Sequence, residues 1–240
     1  MSWHTSRLAS FDTESTGVDV ENDRIVTAAV LLLGDGRPTE THTWLTDADG
    51  LEIPEAATAV HGITTAQART NGRPVAEVLA QVSALLAEQA AAGVPIVAMN
   101  GRFDFTMLDR GLDRAGLPSL LEQAGNVEPL VVDPYVIDKA MDKWRKGKRK
   151  LVNLAETYGV RLSEADAHDA GADALAAARV AYMQAVRYPR LQGSAAGLHN
   201  LQERWAREQA ESLQEYLRKS DASAVVESAW PLVPRPRAGA

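Results

Sequence analysis

Residues 8–17 read LASFDTESTG, an apolar run with one serine that leads into Asp12 and Glu14 before a Thr16-Gly17 turn. In a β-strand, residues i and i+2 leave the same face, so the two carboxylates stand side by side at the strand's end. Like charges that close repel, and a hard divalent cation taking oxygen ligands would neutralise them. A strand that merely ends in a polar turn can carry the same letters. The weight of the pair therefore depends on what other segments bring to that edge.

Composition narrows the setting. The 240 residues are 45% hydrophobic and 24% charged, enough for one main domain with a sizeable core and an appendage. There is no cysteine, which removes disulfides and thiolate zinc sites and favours an intracellular setting. The first residues, MSWHTSRLAS, lack a signal-peptide pattern, and no apolar run approaches the roughly 20 residues of a membrane span, so the expected location is cytoplasmic and no membrane partner is expected. A formal net charge of -7 argues against a protein that coats nucleic acid through bulk electrostatics. It leaves room for an enzyme whose acidic site binds metal and whose basic residues are concentrated in one place.

Along the chain, Arg24 to Leu33 and Thr39 to Leu45 read as second and third strands around a Gly34-Asp35-Gly36 turn, an antiparallel meander with the first. Ile53 to Thr65 reads as a short helix with Pro54 in its first turn, ending near His61-Gly62. Val75, Val78, Leu79, Val82, Leu85 and Leu86 form an amphipathic helix stopped by Gly93. Pro95 to Met99 and Leu130 to Val132 read as buried parallel strands with a helix to about Ala115 between them. Leu151 to Tyr158 is a helix closed by Gly159. Asp169 caps another, which runs to about Arg187 with Ala174, Ala177, Ala181 and Ala185 on one side. The reading is an α/β fold: a mixed five-stranded sheet, hairpin strands extended by parallel strands, flanked by helices. The division is a main domain over 1–189, a linker at 190–197, an amphipathic C-terminal helix at 198–220 and a Pro/Ala-rich tail at 221–240, with disorder expected at least for RPRAGA.

Asp104, in NGRFDFTML, follows the C-terminal end of a parallel strand, the edge where α/β sheets place ligands. It meets Asp12 if the two strands are neighbours. His168 and Asp173, in HDAGAD, are five apart and do not share one face of a continuous helix. They can converge if His168 lies before the Asp169 cap and Asp173 in the first turn.

FDTESTG, NGRFDFTML and HDAGAD together resemble the three motifs of the DEDD 3′→5′ exonuclease superfamily, histidine subtype, and the resemblance covers roughly residues 6–188. HGIT at 61–64 resembles a segment of the branch that includes the proofreading subunit of bacterial DNA polymerase III. The tyrosine subtype would place Tyr at position 169, which is Asp. The resemblance implies an RNase H-like fold, with Asp12, Glu14, Asp104 and Asp173 as ligands of two divalent ions, Mg²⁺ or Mn²⁺, roughly 3.5–4 Å apart. It implies His168 as general base for the attacking water, suited by an ordinary pKa of about 6.5. Ser15, Thr16, Val18, His61, Asn100 and Phe103 correspond to contacts with the terminal nucleotide. Ser15 stands where the family usually has Thr, which keeps the hydroxyl.

The expected activity is hydrolysis of the terminal phosphodiester of DNA at single-stranded or frayed 3′ ends, releasing nucleoside 5′-monophosphates. The alternatives are an exoribonuclease of the same superfamily and a non-catalytic nucleic-acid-binding or assembly module. Residues 143–150 (KWRKGKRK) are either a solvated basic segment or a patch that steers the phosphate backbone, with Lys146 and Lys148 as its candidates. Leu198, Leu201, Trp205, Leu213, Tyr216 and Leu217 make a stripe that either docks on the domain or serves a protein partner or homodimer. His4, His42 and His199 read as structural or surface residues.

Overall fold

The computed structural model describes residues 2–162 and 169–235. Its centre is a mixed sheet of β1 (Leu8–Ser15), β2 (Ile25–Leu33), β3 (Glu40–Leu45), β4 (Ile96–Val97) and β5 (Val131–Val132), in the order β3-β2-β1-β4-β5. The first three strands are antiparallel, and β4 and β5 continue the sheet in parallel with β1. Around it, among the described residues, lie α1 (Glu55–His61), α2 (Thr65–Asn71), α3 (Val75–Ala91), α4 (Arg102–Arg114), α5 (Leu120–Gln123), α6 (Pro134–Met141), α7 (Leu151–Tyr158), α8 (Ala170–Arg187) and α9 (Ala195–Leu217). This is the RNase H-like exonuclease fold that the motifs imply. No described helix is long and apolar enough to cross a membrane.

The alternation of β1 sorts the two faces. Ala9 and Phe11 point into the core built with Leu79, Val82 and Leu86 of α3 and Met107 and Leu108 of α4. Phe11 meets Phe105 edge to face at 5.6 Å. Leu8 points the other way, into the layer of Val97, Ile137 and the α8 alanines Ala177, Ala181 and Ala185. Ser10, Asp12 and Glu14 share that face by the period of two. Because α8 offers alanines, and β2 offers Ala29 opposite Asp12, the helix lies close on the strands. Each buried methylene here is worth about 0.8 kcal/mol, but the small residues matter more for the approach they permit.

Some elements differ from the sequence expectation. The helix read as ending near His61-Gly62 is α1, which stops at left-handed Gly62, but a further helix, α2, starts behind a capping box of Thr64 and Gln67 where none was read. The short helices α5 and α6 were not read at all. The last helix starts at Ala195, because Ser194 caps it by accepting from Gly197 N. Of the RPRAGA end, Arg235 alone lies within the described residues. The preceding tail segment folds back on α4: Trp230 is buried in the main core, and Arg235 pairs with Asp109 at 3.0 Å and with Asp113. Trp230, a single large aromatic in the Pro/Ala-rich tail, finds a core slot and anchors the segment ahead of RPRAGA.

The first half of the C-terminal stripe docks, with Leu198 buried and Trp205 packed against the core, whereas Leu213, Tyr216 and Leu217 stay exposed. The imidazole of His199, 4% exposed, accepts from Val131 N at 3.0 Å. Gln202 accepts from Asp133 N at 2.7 Å and donates to Val131 O at 3.0 Å. These side chains satisfy the backbone of edge strand β5.

Candidate active site

β1 and β4 are neighbours, as a meeting of Asp12 and Asp104 requires. A register shift at Glu14/Ser15 lets β1 turn away just past the two acids. From the other side, Asp169 caps α8 by accepting from Ala172 N at 2.9 Å, which puts Asp173 in the first turn. The helix is tied down by Ser10, whose hydroxyl, wholly buried in the strand, donates to Ala174 O at 2.6 Å. As a result, one carboxylate oxygen each from Asp12, Glu14 and Asp173 come within 4.8 Å of one another.

Asp104 joins from the β4 edge of β1, the side to which the N–H groups of Ala9 and Thr13 point. Its Oδ1 accepts from both the backbone N–H of Thr13, at 3.0 Å, and the Thr13 hydroxyl, at 2.7 Å. Thr13 alternates with Asp12 and Glu14, so the strand that presents two acids on one face also grips the fourth along its edge. Asp104 lies outside the 4.8 Å set but inside its electric field. Burial and then the charges of Asp104, Asp173 and Glu14 push the Asp12 carboxyl well above its usual range. Burial and the charges of Asp173 and Asp104 raise Glu14 to about 7. Burial raises Asp104 to about 7 against the opposing hydrogen bonds from Thr13. A set of hard oxygen donors that resists ionisation when empty is chemically suited to Mg²⁺ or Mn²⁺.

The segment that delivers Asp104 is held by Asp133, which sequence reasoning missed. This N-cap of α6 accepts from Asn100 N at 2.9 Å and Tyr135 N at 2.9 Å through Oδ1, and from Gly101 N at 3.1 Å and Trp230 Nε1 at 3.3 Å through Oδ2. Burial raises it to about 6, opposed by those donors. Asn100 sits at φ +56°, a left-handed position that Asn tolerates. At Gly101 a Cβ would lie 2.7 Å from the Cβ of Ala98, so the turn needs glycine. Asp133 was findable, since Asp before Pro after an apolar pair is a helix-start signature. Ser10 and Thr13 carry no such signal.

The candidate substrate residues lie around this edge. The Ser15 hydroxyl donates to Gly17 O at 2.6 Å. Thr16 is buried and committed to the turn, donating to Asp23 at 2.7 Å and accepting from Arg24 N at 3.0 Å, whereas Val18 is 88% exposed. His61 ends α1, its Nδ1 accepting from Ile63 N at 3.1 Å. It lines a cavity of about 610 Å³ with Trp44 and with Asp169, Ala170 and Gly171, so HGIT and the third motif share one hollow. Asn100 opens on a smaller cavity beyond β4, and the partly buried Phe103 packs against the main core. Lys146 and Lys148 are exposed. Their neighbours Arg145 and Arg149 are not free for steering, because both pair with the buried Asp138, Arg145 at 2.8 Å. His168 lies outside the described residues.

A family model for exonucleases of the RNase T type matches residues 10–181, a span that includes all four acids. The chain belongs to the exonuclease family. It is thus a nuclease hydrolase of the DEDD superfamily, as the motifs imply. Among curated proteins none matches the chain. Among solved structures, this exonuclease is similar to E. coli exonuclease I in complex with a dT13 oligonucleotide (23% identity, TM-score 0.64). It is also similar to the zinc-bound E. coli exonuclease I–ssDNA complex (24%, 0.64) and to product-bound exonuclease I (22%, 0.63). Each match covers 78% of this chain and 42% to 45% of the other, so the chain spans less than half the length of those proteins. At such identities the likeness is one of fold.

Proposed function

We propose that the protein is a 3′→5′ exonuclease acting on single-stranded or frayed 3′ ends of DNA and releasing nucleoside 5′-monophosphates. The observation that carries the reading is the convergence of Asp12, Glu14 and Asp173 within 4.8 Å, with Asp104 held beside them, in a chain of the exonuclease family. Asp12, Glu14, Asp104 and Asp173 would hold two divalent ions. When bound, such ions stabilise the attacking and leaving oxygens of an in-line displacement.

The chain's own residues do the rest. Thr13 and Ser10 fix the carboxylates before substrate arrives, which spares reorganisation during the reaction. His168, immediately before the α8 cap in sequence, takes the proton of the attacking water. The Ser15–Val18 turn and the His61 hollow flank the acids on the β2 side, and Asn100 and Phe103 flank them on the β4 side. The terminal nucleotide would lie between. Lys146 and Lys148 attract the phosphate backbone from outside the site. HGIT favours kinship with the polymerase III-type branch, with work in repair or proofreading.

DNA is preferred over RNA because the similar exonuclease I structures hold single-stranded DNA oligonucleotides. Incubation with 5′-labelled single-stranded DNA and RNA in Mg²⁺, Mn²⁺ or EDTA tests the reading. A DNA ladder shortening from the 3′ end, absent in EDTA and with Asp12→Ala, is the expected result. Shortening of RNA alone would make the protein an exoribonuclease, and no cleavage of either polymer would leave a non-catalytic module.

A further inference from the structure

Beyond β5, on the side of the sheet edge away from His61, two cavities join. The smaller, about 130 Å³, opens at Asn100 and Arg102, two residues from Asp104. The larger, about 500 Å³, reaches Lys143, Trp144 and Tyr216. Both are lined by Lys139, Gln209 and Leu213, so they form one trough, floored by α6 and walled by α9.

The chemistry along this trough repeats. Lys139 Nζ stands 5.0 Å from the Tyr135 ring and Lys143 Nζ 5.3 Å from the Trp144 ring, and Lys219, outside the lining, brings its Nζ to 5.8 Å from the Tyr216 ring. Trp144 is 85% exposed and Tyr216 66% exposed, which costs apolar hydration that a bound flat group would recover. Against Arg102, Lys139 and Lys143 in the lining stand two carboxylates, Asp133 at the inner end and Glu208 on the α9 wall. The surplus is nevertheless positive in a chain of net charge -7. Ammonium groups paired with accessible rings match a polymer of phosphates and bases. Each ring can stack a base of any identity while the neighbouring lysine meets the backbone.

We propose that this trough is a second subsite that binds the trailing, 5′-ward part of a single-stranded nucleic acid, with Trp144 as its stacking platform. The inference rests on the exonuclease reading for the direction of the strand. It predicts a grip that depends on strand length and ignores sequence.

The test measures equilibrium binding by the full-length Asp12→Ala protein, which holds substrate without consuming it, to oligothymidylates from a trinucleotide to a dodecanucleotide. Affinity should rise once the strand is long enough to reach the trough. Trp144→Ala should weaken binding of the dodecanucleotide by about tenfold, the scale of one lost base stack, and that of the trinucleotide by less than about twofold. Trp144→Phe, which keeps a ring, should restore most of the loss. Trp144 is exposed, so these variants keep the fold. The proposal is overturned if Trp144→Ala matches its parent at every length, if it weakens short and long strands alike, or if no oligonucleotide binds. Cleavage by the protein with Asp12 intact is scored separately, so a failure of the exonuclease reading shows as intact DNA whatever the binding result.

Discussion

Asp138 and Asp12 are both carboxylates withdrawn from water, and the chain surrounds them in opposite ways. Asp138, on α6, receives Arg145 and Arg149 on one oxygen and the Tyr158 hydroxyl on the other at 2.8 Å. Asp12 faces Glu14, Asp104 and Asp173, and among the described residues no cation pairs with Asp12 or Glu14. The first arrangement spends a basic segment to neutralise one acid and thereby fixes a loop. The second leaves its repulsion in place, which a fold tolerates at a site where a ligand supplies the missing charge. Counter-charge supplied from within marks structure, and counter-charge left open marks function.

The sharpest way to break that contrast is to delete each acid in turn. Asp12→Ala should lower kcat by about a thousandfold or more, the several kcal/mol that a lost metal ligand removes from transition-state stabilisation. Thermal unfolding in EDTA should show no loss of stability, since a repulsive neighbour has gone. Asp138→Ala should do the reverse. It strands two partly buried guanidiniums, at a cost of about 3–5 kcal/mol in unfolding free energy, while kcat measured well below the melting temperature stays comparatively high. If both variants lost stability equally in EDTA, the distinction would fail.

Titration sharpens it next. Glu14 and Asp104 are raised from ordinary carboxylate values to about 7, so the folded, metal-free protein binds more protons than the unfolded chain between about pH 4 and 7. Stability in EDTA should therefore be greatest at the acidic end of that window and fall as pH rises through 7. Mg²⁺ should raise the melting temperature more at pH 8 than at pH 5.5; a pH-independent effect of Mg²⁺ would contradict the account. A smaller effect belongs to Thr13→Val, which removes the hydroxyl donor to Asp104 but keeps the backbone N–H. A kcat loss of about tenfold with little change in KM is expected. Smallest is the reversal of Lys146 and Lys148 to Glu, in the segment whose arginines Asp138 already holds. It should raise KM severalfold and flatten its dependence on salt, and kinetics unchanged across salt would remove these lysines from any steering role.

Much of this was legible in the chain because strong periodicity and end signals agree. The hairpin strands, α3, α4 and α8 all announce themselves by apolar spacing and by caps such as Asp169. The acids could be placed because strand alternation and the strand-end rule are geometric. What escaped was short or singular. α2 buries Ala68 alone and has no apolar stripe to read, and the buried Pro134, Val136 and Ile137 of α6 fall within one turn, too brief a run to show a period. Trp230 is one aromatic in a tail whose composition argues for disorder. Ser10 and Thr13 position the acids by hydrogen bonds between segments far apart in sequence, and such bonds leave no pattern along the chain.

The way α9 meets β5 bears on how the molecule behaves among its own copies. A sheet grows at its margins, wherever a ladder of amides is left open to a neighbour. Here His199 and Gln202 imitate a sixth strand with an imidazole and a carboxamide, which closes one margin without providing a new one. Growth would be confined to β3, whose exposed positions include the charged Glu40. Peeling α9 away, by truncation or by local melting, would reopen the closed margin next to Val131 and Val132. The same helix that walls the trough would then, in its absence, leave the sheet open to strand-to-strand self-association.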